Sequence, residues 1–555
     1  MQNTSHSQQT PSGGPIVSRW TLLRRELEAD VMTQAVVFVS LALFFIPPAF
    51  GEQTKASIIF HPQWEDTYSG EKNLLFEIYV ENKGKEAQEI ESIEYRGDKK
   101  YVVWSQVYPK KQIASMGFAC IQFCLENSWM DAEGKLIKLR VSGKDYEIQI
   151  PPYQPQWLKI RSVAPTLDQK KILMAVEDRE GKGIKKISFN GKETGGFSSF
   201  KVADKTLVEV DAGSSLRETY LLIQIDTASQ KRFAALKPLK AFSIDAFGLK
   251  DEDIKTRIRF QLDMKRLIRQ NEIDVTCIDA DQKKPGFCAE KVLNEYALSA
   301  ADREELVATY ACTSATVLDG YNIYCRITDA FQIAPYSRQF SFTDNFIKRE
   351  DWSLNNAKQA VAYRPFGLIV ETFIHKGNGR PIVPDEIEQV IYSAIGRGAK
   401  SIKYFSYASD PQGLYRGLDM MPELEKKILE INAFIRKNEA IFFRAVPVTG
   451  PPYKEGGFAS FDGEPDLYLM WIGGKDFLLI VKNTLYEKRG EEHRRKLLYC
   501  VPKQDVKIEV KALKGKIQSA IDLETYKKLK IDGDQSVKID ELKCVRFIIL
   551  KTKDI

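Results

Sequence analysis

The sequence predicts a multidomain protein in which β-sandwiches flank one α/β domain, and three observations support this fold class. The chain has 555 residues, which is enough for several hydrophobic cores. Short apolar-polar alternations separated by turn signals dominate both ends, as is typical of β-sandwiches. Between about residues 240 and 447, strand patterns alternate with helix patterns, which indicates a parallel sheet covered by helices.

Composition argues against two classes of function. The formal net charge is only +6, and no Lys/Arg cluster is interleaved with aromatic residues, so nucleic-acid binding is not expected. The chain has four histidines and no CxxC pair, so we expect neither a zinc site nor another metal site. No motif indicates a cofactor.

A leader is predicted over residues 1–51. Its first 16 residues are polar and without periodicity, which is typical of disorder. The apolar run from Ala35 to Ile46 is too short to cross a bilayer but suits a signal peptide, and Ala49 and Gly51 supply small residues before a cleavage point at Glu52. We therefore expect export to the extracellular space, periplasm or cell surface. The alternative is an uncleaved segment that anchors the chain to a membrane.

Two β units follow the leader, over residues 52–151 and 152–239. The first contains LLFEIYVENKGKEAQEIESIEY, in which strand patterns surround the turn NKGK. The second contains the dipeptide Asn190-Gly191, a strong signal for a tight hairpin because both residues tolerate positive φ. Both units are predicted to be immunoglobulin-like β-sandwiches. Tandem sandwiches are most often spacers or binding modules, and we expect a passive scaffold here.

Residues 240–447 are predicted to form a compact, closed (β/α) barrel of the TIM type. AFSIDAFG resembles a strand, and DEDIKTRIRFQLDMKRLIRQN a helix with Ile254, Ile258 and Leu262 on one face. A second helix has Pro384 in its first turn, and Gly396 and Gly398 end it. A third, within PELEKKILEINAFIRKN, has an apolar stripe formed by Leu424, Ile428, Ile431 and Ile435. Residues 448–465 form a Pro/Gly-rich linker, and residues 466–555 a C-terminal β-sandwich.

This order of parts resembles secreted (β/α)-barrel glycoside hydrolases of the β-galactosidase-like kind, which carry accessory β-sandwiches. PDEIEQVIYSAIGRGAKSIKYFSY resembles the last helix and strand of such barrels, and MPELEKKILEINAFIRKNEAIF is similar to the closing helix. DFLLIVKNT is similar to a strand of the C-terminal sandwich. The resemblance implies a protein that hydrolyses or binds glycans.

The sequence departs from the pattern of these glycoside hydrolases in two ways, so the resemblance does not decide whether the chain hydrolyses glycans. Only about 205 residues separate Lys240 from Val446, fewer than the ~250 typical of this barrel. The family usually carries an Asn-Glu pair at the carboxyl end of a strand in the middle of the barrel, and none of the Asn-Glu pairs in this sequence lies at such a strand end. In addition, Ala334 occupies a position where the family usually has an acid. The chain is therefore either an active hydrolase or a degenerate member, inactive in catalysis, that binds glycans or serves as a cell-surface scaffold.

Glu371 is the principal candidate for catalysis because it ends the apolar strand GLIVETF, and chemistry in such barrels takes place at carboxyl strand ends. Glycoside hydrolysis needs two carboxylates, about 5 to 9.5 Å apart depending on the stereochemical outcome. Asp279 and Asp245, near the ends of other strands, are the candidates for the second. Alternatively, Glu371 is structural and pairs with Arg364 or Lys403.

Aromatic residues near the same strand ends are candidates for stacking on a sugar. They are Tyr336, Trp352, Tyr404 and Tyr407. The alternative for the three tyrosines is that they serve in the packing of the barrel. Trp352, in REDWSLNN, is the better stacking candidate because its neighbours are polar. The sequence does not indicate which sugar is bound or whether the protein forms oligomers.

Overall fold

In this computed structural model, most of the described residues lie in β-strands, and the described α-helices fall between residues 346 and 444. All described residues belong to one compact unit, Glu52–Ile555. The predicted leader lies outside them, and none of the helices described is long and apolar enough to span a membrane. The structure describes residues 56–63, 73–95, 97, 102–108, 111–126, 134–150, 157–217, 221–236, 242–246, 260–264, 272–274, 308–312, 330–335, 346–361, 363–377, 379–405, 409, 412–451, 464–492, 495–533 and 535–553.

The first β region contains two four-stranded sheets, with strand orders β1-β2-β6-β4 and β5-β3-β7-β8. Residues from both sheets, including Ile78, Ile121 and Leu139, are buried in one core, so the sheets pack as a sandwich. The strands are β1 (Ala56–Gln63), β2 (Asn73–Asn82), β3 (Gln88–Tyr95), β4 (Val102–Tyr108), β5 (Gln112–Ile113), β6 (Phe118–Glu126), β7 (Leu136–Val141) and β8 (Lys144–Gln149).

The second β region also contains two facing sheets, ordered β13-β14-β10-β9 and β12-β11-β15-β16. Between β11 and β12, Asn190 and Gly191 have φ values of 48° and 78°, which confirms the predicted tight turn. The strands are β9 (Leu158–Pro165), β10 (Lys171–Asp178), β11 (Lys186–Phe189), β12 (Lys192–Glu193), β13 (Phe197–Val202), β14 (Lys205–Asp211), β15 (Leu221–Asp226) and β16 (Lys231–Leu236).

Strand β10 of this second region is buried on both faces. Met174 and Val176 on β10 point into the core between the two sheets. Leu173 and Ala175, on the opposite face, share a core with Trp471 from the C-terminal region. The second β region is therefore fixed to the C-terminal region by apolar packing, which an independent spacer would not need.

The central region contains a parallel sheet of five described strands, ordered β19-β20-β21-β22-β24, so the predicted parallel pairing is confirmed. Closure of this sheet into a barrel is not seen among the described strands. The strands are β17 (Phe242–Ala246), β18 (Phe260–Met264), β19 (Glu272–Asp274), β20 (Ala308–Cys312), β21 (Ala330–Ala334), β22 (Phe366–Glu371), β23 (Ile374–His375), β24 (Ala399–Phe405) and β25 (Tyr415–Arg416).

The helices described are α1 (Phe346–Val361), α2 (Pro384–Gly396), α3 (Pro422–Lys437) and α4 (Glu439–Arg444). The predicted bounds of α2 are confirmed, and the apolar stripe predicted for α3 is buried. Lys400 on β24 joins the sheet to α4, because its ammonium group donates hydrogen bonds to the carbonyls of Phe442, Phe443 and Ala445 at the end of that helix.

The helix predicted to run through Leu262 is wrong at residues 260–264. These residues form β18, which pairs with β17 in antiparallel register, with Leu262 opposite Ile244. The sequence IRFQLDM alternates apolar and polar residues with a period of two, which is the strand pattern. The spacing of four residues between Ile258 and Leu262 fits both periods, and pairing with β17 selects the strand.

The C-terminal region is built on a six-stranded sheet, ordered β26-β27-β28-β35-β32-β33, with the pairs β29-β30 and β31-β34 beside it. One face packs on α2 and α3 through residues such as Phe547, and the other on the second β region through Trp471. The strands are β26 (Val446–Thr449), β27 (Asp466–Trp471), β28 (Asp476–Lys482), β29 (Tyr486–Glu492), β30 (Arg495–Cys500), β31 (Lys503–Ile508), β32 (Ile517–Asp522), β33 (Lys528–Leu529), β34 (Val537–Leu542) and β35 (Val545–Thr552).

Candidate functional site

The two faces of the parallel sheet differ in what covers them. Phe366, Leu368 and Val370 on β22 belong to the core that contains α1, α2 and α3. Because side chains alternate along a strand, Glu371 lies on the opposite face. We call this opposite face the site face. Its described members are Gln332, Gly367, Ile369, Glu371, Ser401, Lys403 and Phe405.

The middle of the site face is closely packed. Gln332 on β21 donates a hydrogen bond from Nε2 to Ser401 Oγ on β24, at 3.3 Å. Gly367 lies between these two side chains on β22. A Cβ atom there would lie 2.8 Å from Ser401 Cβ and 3.1 Å from Gln332 Cγ, so only glycine lets the bond cross the strand.

Glu371 and Phe405 are partners in register at the carboxyl ends of β22 and β24. Lys403 is opposite Ile369, so it is a diagonal neighbour of Glu371 on the same face, at a spacing that a long side chain can cover. The Glu371 side chain is buried, with 1% of its surface exposed. This position at the carboxyl edge is the one that the sequence predicted, whereas a catalytic role for Glu371 stays a prediction.

An aromatic cluster formed by Phe373, Phe405 and Tyr415 lies beside Glu371. The ring of Phe373 contacts those of Phe405 and Tyr415 edge to face, at centroid distances of 5.6 and 5.5 Å. The Phe405 and Tyr415 rings are 5.7 Å apart. Phe373 is buried, Tyr415 is half-buried and Phe405 is 40% exposed. The cluster thus presents aromatic surface to solvent at the edge of the sheet.

Short backbone pairings hold the cluster in place. The N–H of Thr372 donates to the Phe405 carbonyl at 2.7 Å, so the chain leaving β22 stays beside the end of β24. Further on, β23 pairs with β25, with His375 opposite Tyr415. Ser409 Oγ donates to Asp419 Oδ1 at 2.8 Å and accepts the N–H of Gly417 at 2.9 Å, which orders the loop that carries Tyr415.

A buried ion pair supports the chain that leads from this edge into α2. Arg380 and Glu386 are fully buried and form a bidentate pair, with N···O distances of 3.0 and 2.8 Å. Glu386 also accepts the N–H of Val383 at 3.2 Å, at the beginning of α2. A bidentate pair with its carboxylate further bonded is rigid, so this segment has a fixed path.

The structure describes only some of the predicted site residues. Asp279, Tyr336 and Tyr407 lie outside the described residues. Asp245 lies on β17, opposite Gln261, and Trp352 lies within α1, but neither side chain is described. A second carboxylate next to Glu371 therefore remains a prediction.

Tyr404 lies on the face of β24 opposite the site face. It is 9% exposed, and its hydroxyl donates to Asn432 Oδ1 on α3 at 2.7 Å. Burial raises the pKa of Tyr404 well above its usual range. In this structure the side chain fixes α3 to the sheet. The aromatic residue on the site face is its neighbour Phe405.

Sequence reasoning missed Phe405 and Tyr415. The signal for Phe405 was the period of two along KSIKYF, which places Phe405 on the face of Ser401 and Lys403, and Tyr404 on the other. Tyr415 gave no comparable signal, because its position depends on the short pairing between β23 and β25.

Within the described part of the chain, one group of side chains is close enough to share a metal ion: Asp385, Cys500 and Cys544. It lies at the start of α2 and not at the site face. The prediction that the chain carries no metal site stays a prediction.

Neither a protein-family model nor a curated protein matches the chain. Among solved structures, it is similar to an α-amylase from Anoxybacillus described as a new glycosyl hydrolase subclass, with a TM-score of 0.30 and 12% identity over 47% of this chain and 56% of that one. The chain thus covers just over half of the amylase. It is also similar to the tandem Ig repeats of Dlar, with a TM-score of 0.20 and 11% identity over 33% of this chain and 97% of that one. Neither similarity establishes a shared fold at these TM-scores.

Proposed function

We propose that the carboxyl edge of the parallel sheet binds carbohydrate, and that the chain is an exported glycan-processing protein built on a (β/α) barrel. The observation that carries the proposal is the pairing of a buried carboxylate, Glu371, with the exposed ring of Phe405 in register on the next strand. Sugars present apolar C–H faces and rings of hydroxyl groups. An aromatic surface beside a carboxylate matches both features.

In this proposal Phe405 and Tyr415 stack on a sugar ring, and Glu371 accepts hydrogen bonds from its hydroxyl groups. If the protein hydrolyses glycans, Glu371 is the nucleophile or the base, and a second carboxylate acts as the acid. Asp279 and Asp245 are the candidates for that second role. Lys403 lies on the same face, at a position diagonal to Glu371.

The second candidate function is glycan binding without hydrolysis. Ala334, which stands where the resembling family usually has an acid, ends β21 and is fully buried. An alanine cannot donate a proton to a leaving group. Without an acid at this position, the same edge of the sheet serves as a glycan-binding surface on a cell-surface scaffold.

Activity and binding assays on one set of variants separate these two functions. Turnover of aryl-glycosides by the wild type, lost in Glu371→Gln, supports hydrolysis. Glycan binding without turnover, weakened in Phe405→Ala, supports the binding protein. Glu430→Gln, which changes an exposed acid on α3, is the matched control. A wild type that neither binds any glycan on an array nor turns over any aryl-glycoside contradicts both.

Export is supported by the apolar run from Ala35 to Ile46 and by the small residues at Ala49 and Gly51. Expression with the leader intact, followed by N-terminal sequencing of the exported protein, tests this. We expect a new N-terminus at Glu52. A full-length chain in the membrane fraction supports the uncleaved anchor instead.

A further inference from the structure

Two cysteines that are distant in sequence meet in the C-terminal region. Cys500 ends β30, and Cys544 lies in the turn between β34 and β35, 44 residues later. Their Sγ atoms are 2.6 Å apart. The exposed fractions of the two residues are 7% and 5%. Buried thiols from two different strand ends are thus in direct contact.

We propose that Cys500 and Cys544 are a cross-linking site that carries a disulfide bond in the mature protein. The competing use of the pair is a metal site completed by Asp385. Two thiolates that bind one tetrahedral zinc ion at ~2.3 Å lie about 3.7 Å apart, well beyond the observed separation. A disulfide places the sulfur atoms at ~2.05 Å, so a small movement completes the bond.

Hydrogen bonds from α2 hold Cys500 in position. Asp385, in the first turn of the helix, accepts the backbone N–H of Cys500 at 3.0 Å. Gln389, one turn further on, donates from Nε2 to Cys500 Sγ and to the carbonyl of Asn483, both at 2.9 Å. The strand end that carries Cys500 is therefore fixed against α2.

Asn483 joins the segments on which the two cysteines lie. Its N–H donates to the Cys544 carbonyl at 2.8 Å, and its side-chain Nδ2 donates to the carbonyls of Val501 and Lys543 at 2.7 Å each. One side chain therefore fixes the residue after Cys500 and the residue before Cys544. The two thiols meet because of this backbone arrangement, so their contact does not depend on a single flexible rotamer.

Bond formation needs an oxidant, which we identify as a disulfide of the oxidising compartment, such as oxidised glutathione or a disulfide oxidoreductase. One cysteine thiolate attacks this disulfide, forms a mixed disulfide and releases a thiol. The second cysteine, after losing its proton, displaces the other half. The two cysteines lose two protons and two electrons in total, and the oxidant is reduced to two thiols.

The timing of oxidation follows from burial. The hydrogen bond with Cys500, together with burial, raises the pKa of the Cys544 thiol well above its usual range. Both thiols are also shielded from solvent, at 7% and 5% exposed, so an external oxidant reaches them before the C-terminal region closes.

Peptide mapping of the wild-type protein tests the cross-link, using full-length protein purified from an oxidising compartment. Free thiols are alkylated, and the protein is digested with trypsin without reductant. Cys500 falls in the peptide LLYCVPK and Cys544 in CVR. We expect these peptides joined, two hydrogen atoms lighter than the reduced pair, and separated by reductant. Recovery of both peptides singly alkylated overturns the proposal. Thiols that react only after chelation, with zinc released, also overturn it in favour of a metal site.

Thermal unfolding gives an independent readout. Closing a loop of this length restricts the unfolded chain, so reduction of the wild type lowers its Tm by roughly 5 °C. In the Cys500→Ala/Cys544→Ala variant, reductant should no longer cause this drop in Tm. Any effect of reductant on the other cysteines is the same in the variant and the wild type. An equal response to reductant in wild type and variant overturns the proposal. Neither test depends on the proposed carbohydrate function.

Discussion

Glu371 and Phe405 lie opposite each other at the carboxyl ends of two neighbouring parallel strands, the first 1% and the second 40% exposed. Parallel strands bring their carboxyl ends to one edge, where loops from distant parts of the chain meet. The carboxylate lies within the sheet, and the aromatic ring faces solvent next to it. This pairing distinguishes the edge from an ordinary strand end, where an acid faces water.

Replacing Phe405 tests the stacking surface. We expect Phe405→Ala to weaken binding of a glycan by about fivefold, because loss of one stacked ring removes of the order of 1 kcal/mol. Isothermal titration calorimetry with a glycan selected on an array measures the change. Tyr526→Ala is the control, since Tyr526 is 54% exposed in the C-terminal region. Equal affinities of Phe405→Ala and the wild type would show that the Phe405 ring takes no part in glycan binding.

Replacing Gly396 tests the contact between α2 and the C-terminal sheet. A Cβ atom at Gly396 would lie 2.5 Å from Tyr468 Cγ, and Tyr468 is fully buried. We expect Gly396→Ala to lower the free energy of unfolding by about 2 to 3 kcal/mol through overpacking. Gly195→Ala is the matched control, because nothing lies within 4 Å of its Cβ position. Urea denaturation of both variants measures the difference. Equal stabilities would mean that α2 and the sheet are not in close contact.

Replacing Asp351 tests a buried ionic network between α1, α2 and β28. Asp351 contacts Lys482 at 3.1 Å and Arg397 at 3.2 Å, and both cations are buried. Burial alone would raise the pKa of Asp351, but attraction from Lys482 and Arg397 outweighs it and holds the pKa below its usual value. We expect Asp351→Asn to cost about 3 kcal/mol at pH 7, because the buried cations lose a counter-charge.

The pH dependence of this cost has a definite sign. A carboxylate with a lowered pKa in the folded state contributes stability above its unfolded pKa of about 4 and loses it as the pH falls through the folded value. The difference between wild type and Asp351→Asn should therefore shrink below about pH 4 in urea unfolding. Asp145→Asn, which breaks an exposed pair with Lys138 at 3.0 Å, should cost under ~1 kcal/mol. A difference independent of pH would exclude the ionic explanation.

Replacing Lys400 tests the connection between the parallel sheet and α4. Its ammonium group donates to three carbonyls at 2.8 to 2.9 Å. Lys400→Met keeps the aliphatic chain but leaves these acceptors without their donor, and we expect a loss of about 3 kcal/mol in chemical denaturation. Lys426→Met, at an exposed position on α3, should change stability by less than ~0.5 kcal/mol. Similar effects for the two variants would contradict the role of Lys400 in joining β24 to α4.

The elements that the sequence predicted well are those with one exposed and one buried side. α3 shows this clearly, because its buried stripe from Leu424 to Ile435 repeats with the helical period. The turn at Asn190-Gly191 was predictable for a local reason, since both residues accept positive φ. The packing of β10 was not predictable. Its residues from Ile172 to Asp178 are all buried, so they give no alternation that could reveal which region covers each face.

The candidate site was predictable only in part, because it is assembled from separate segments. Glu371 could be identified from its place at the end of an apolar strand. The choice between Tyr404 and Phe405 depended on the register of β24 against β22, and a shift of one residue exchanges the two faces. The cysteine pair depends on contacts between β30 and the turn before β35, which no local pattern reports.

The position of a bound glycan tests the central proposal most directly. A crystal structure of the full-length protein with an oligosaccharide selected on a glycan array would give this position. We predict a sugar ring stacked on Phe405, with a hydroxyl group within hydrogen-bonding distance of Glu371. A glycan bound only on one of the β-sandwiches, with the edge at Glu371 and Phe405 empty, would contradict it.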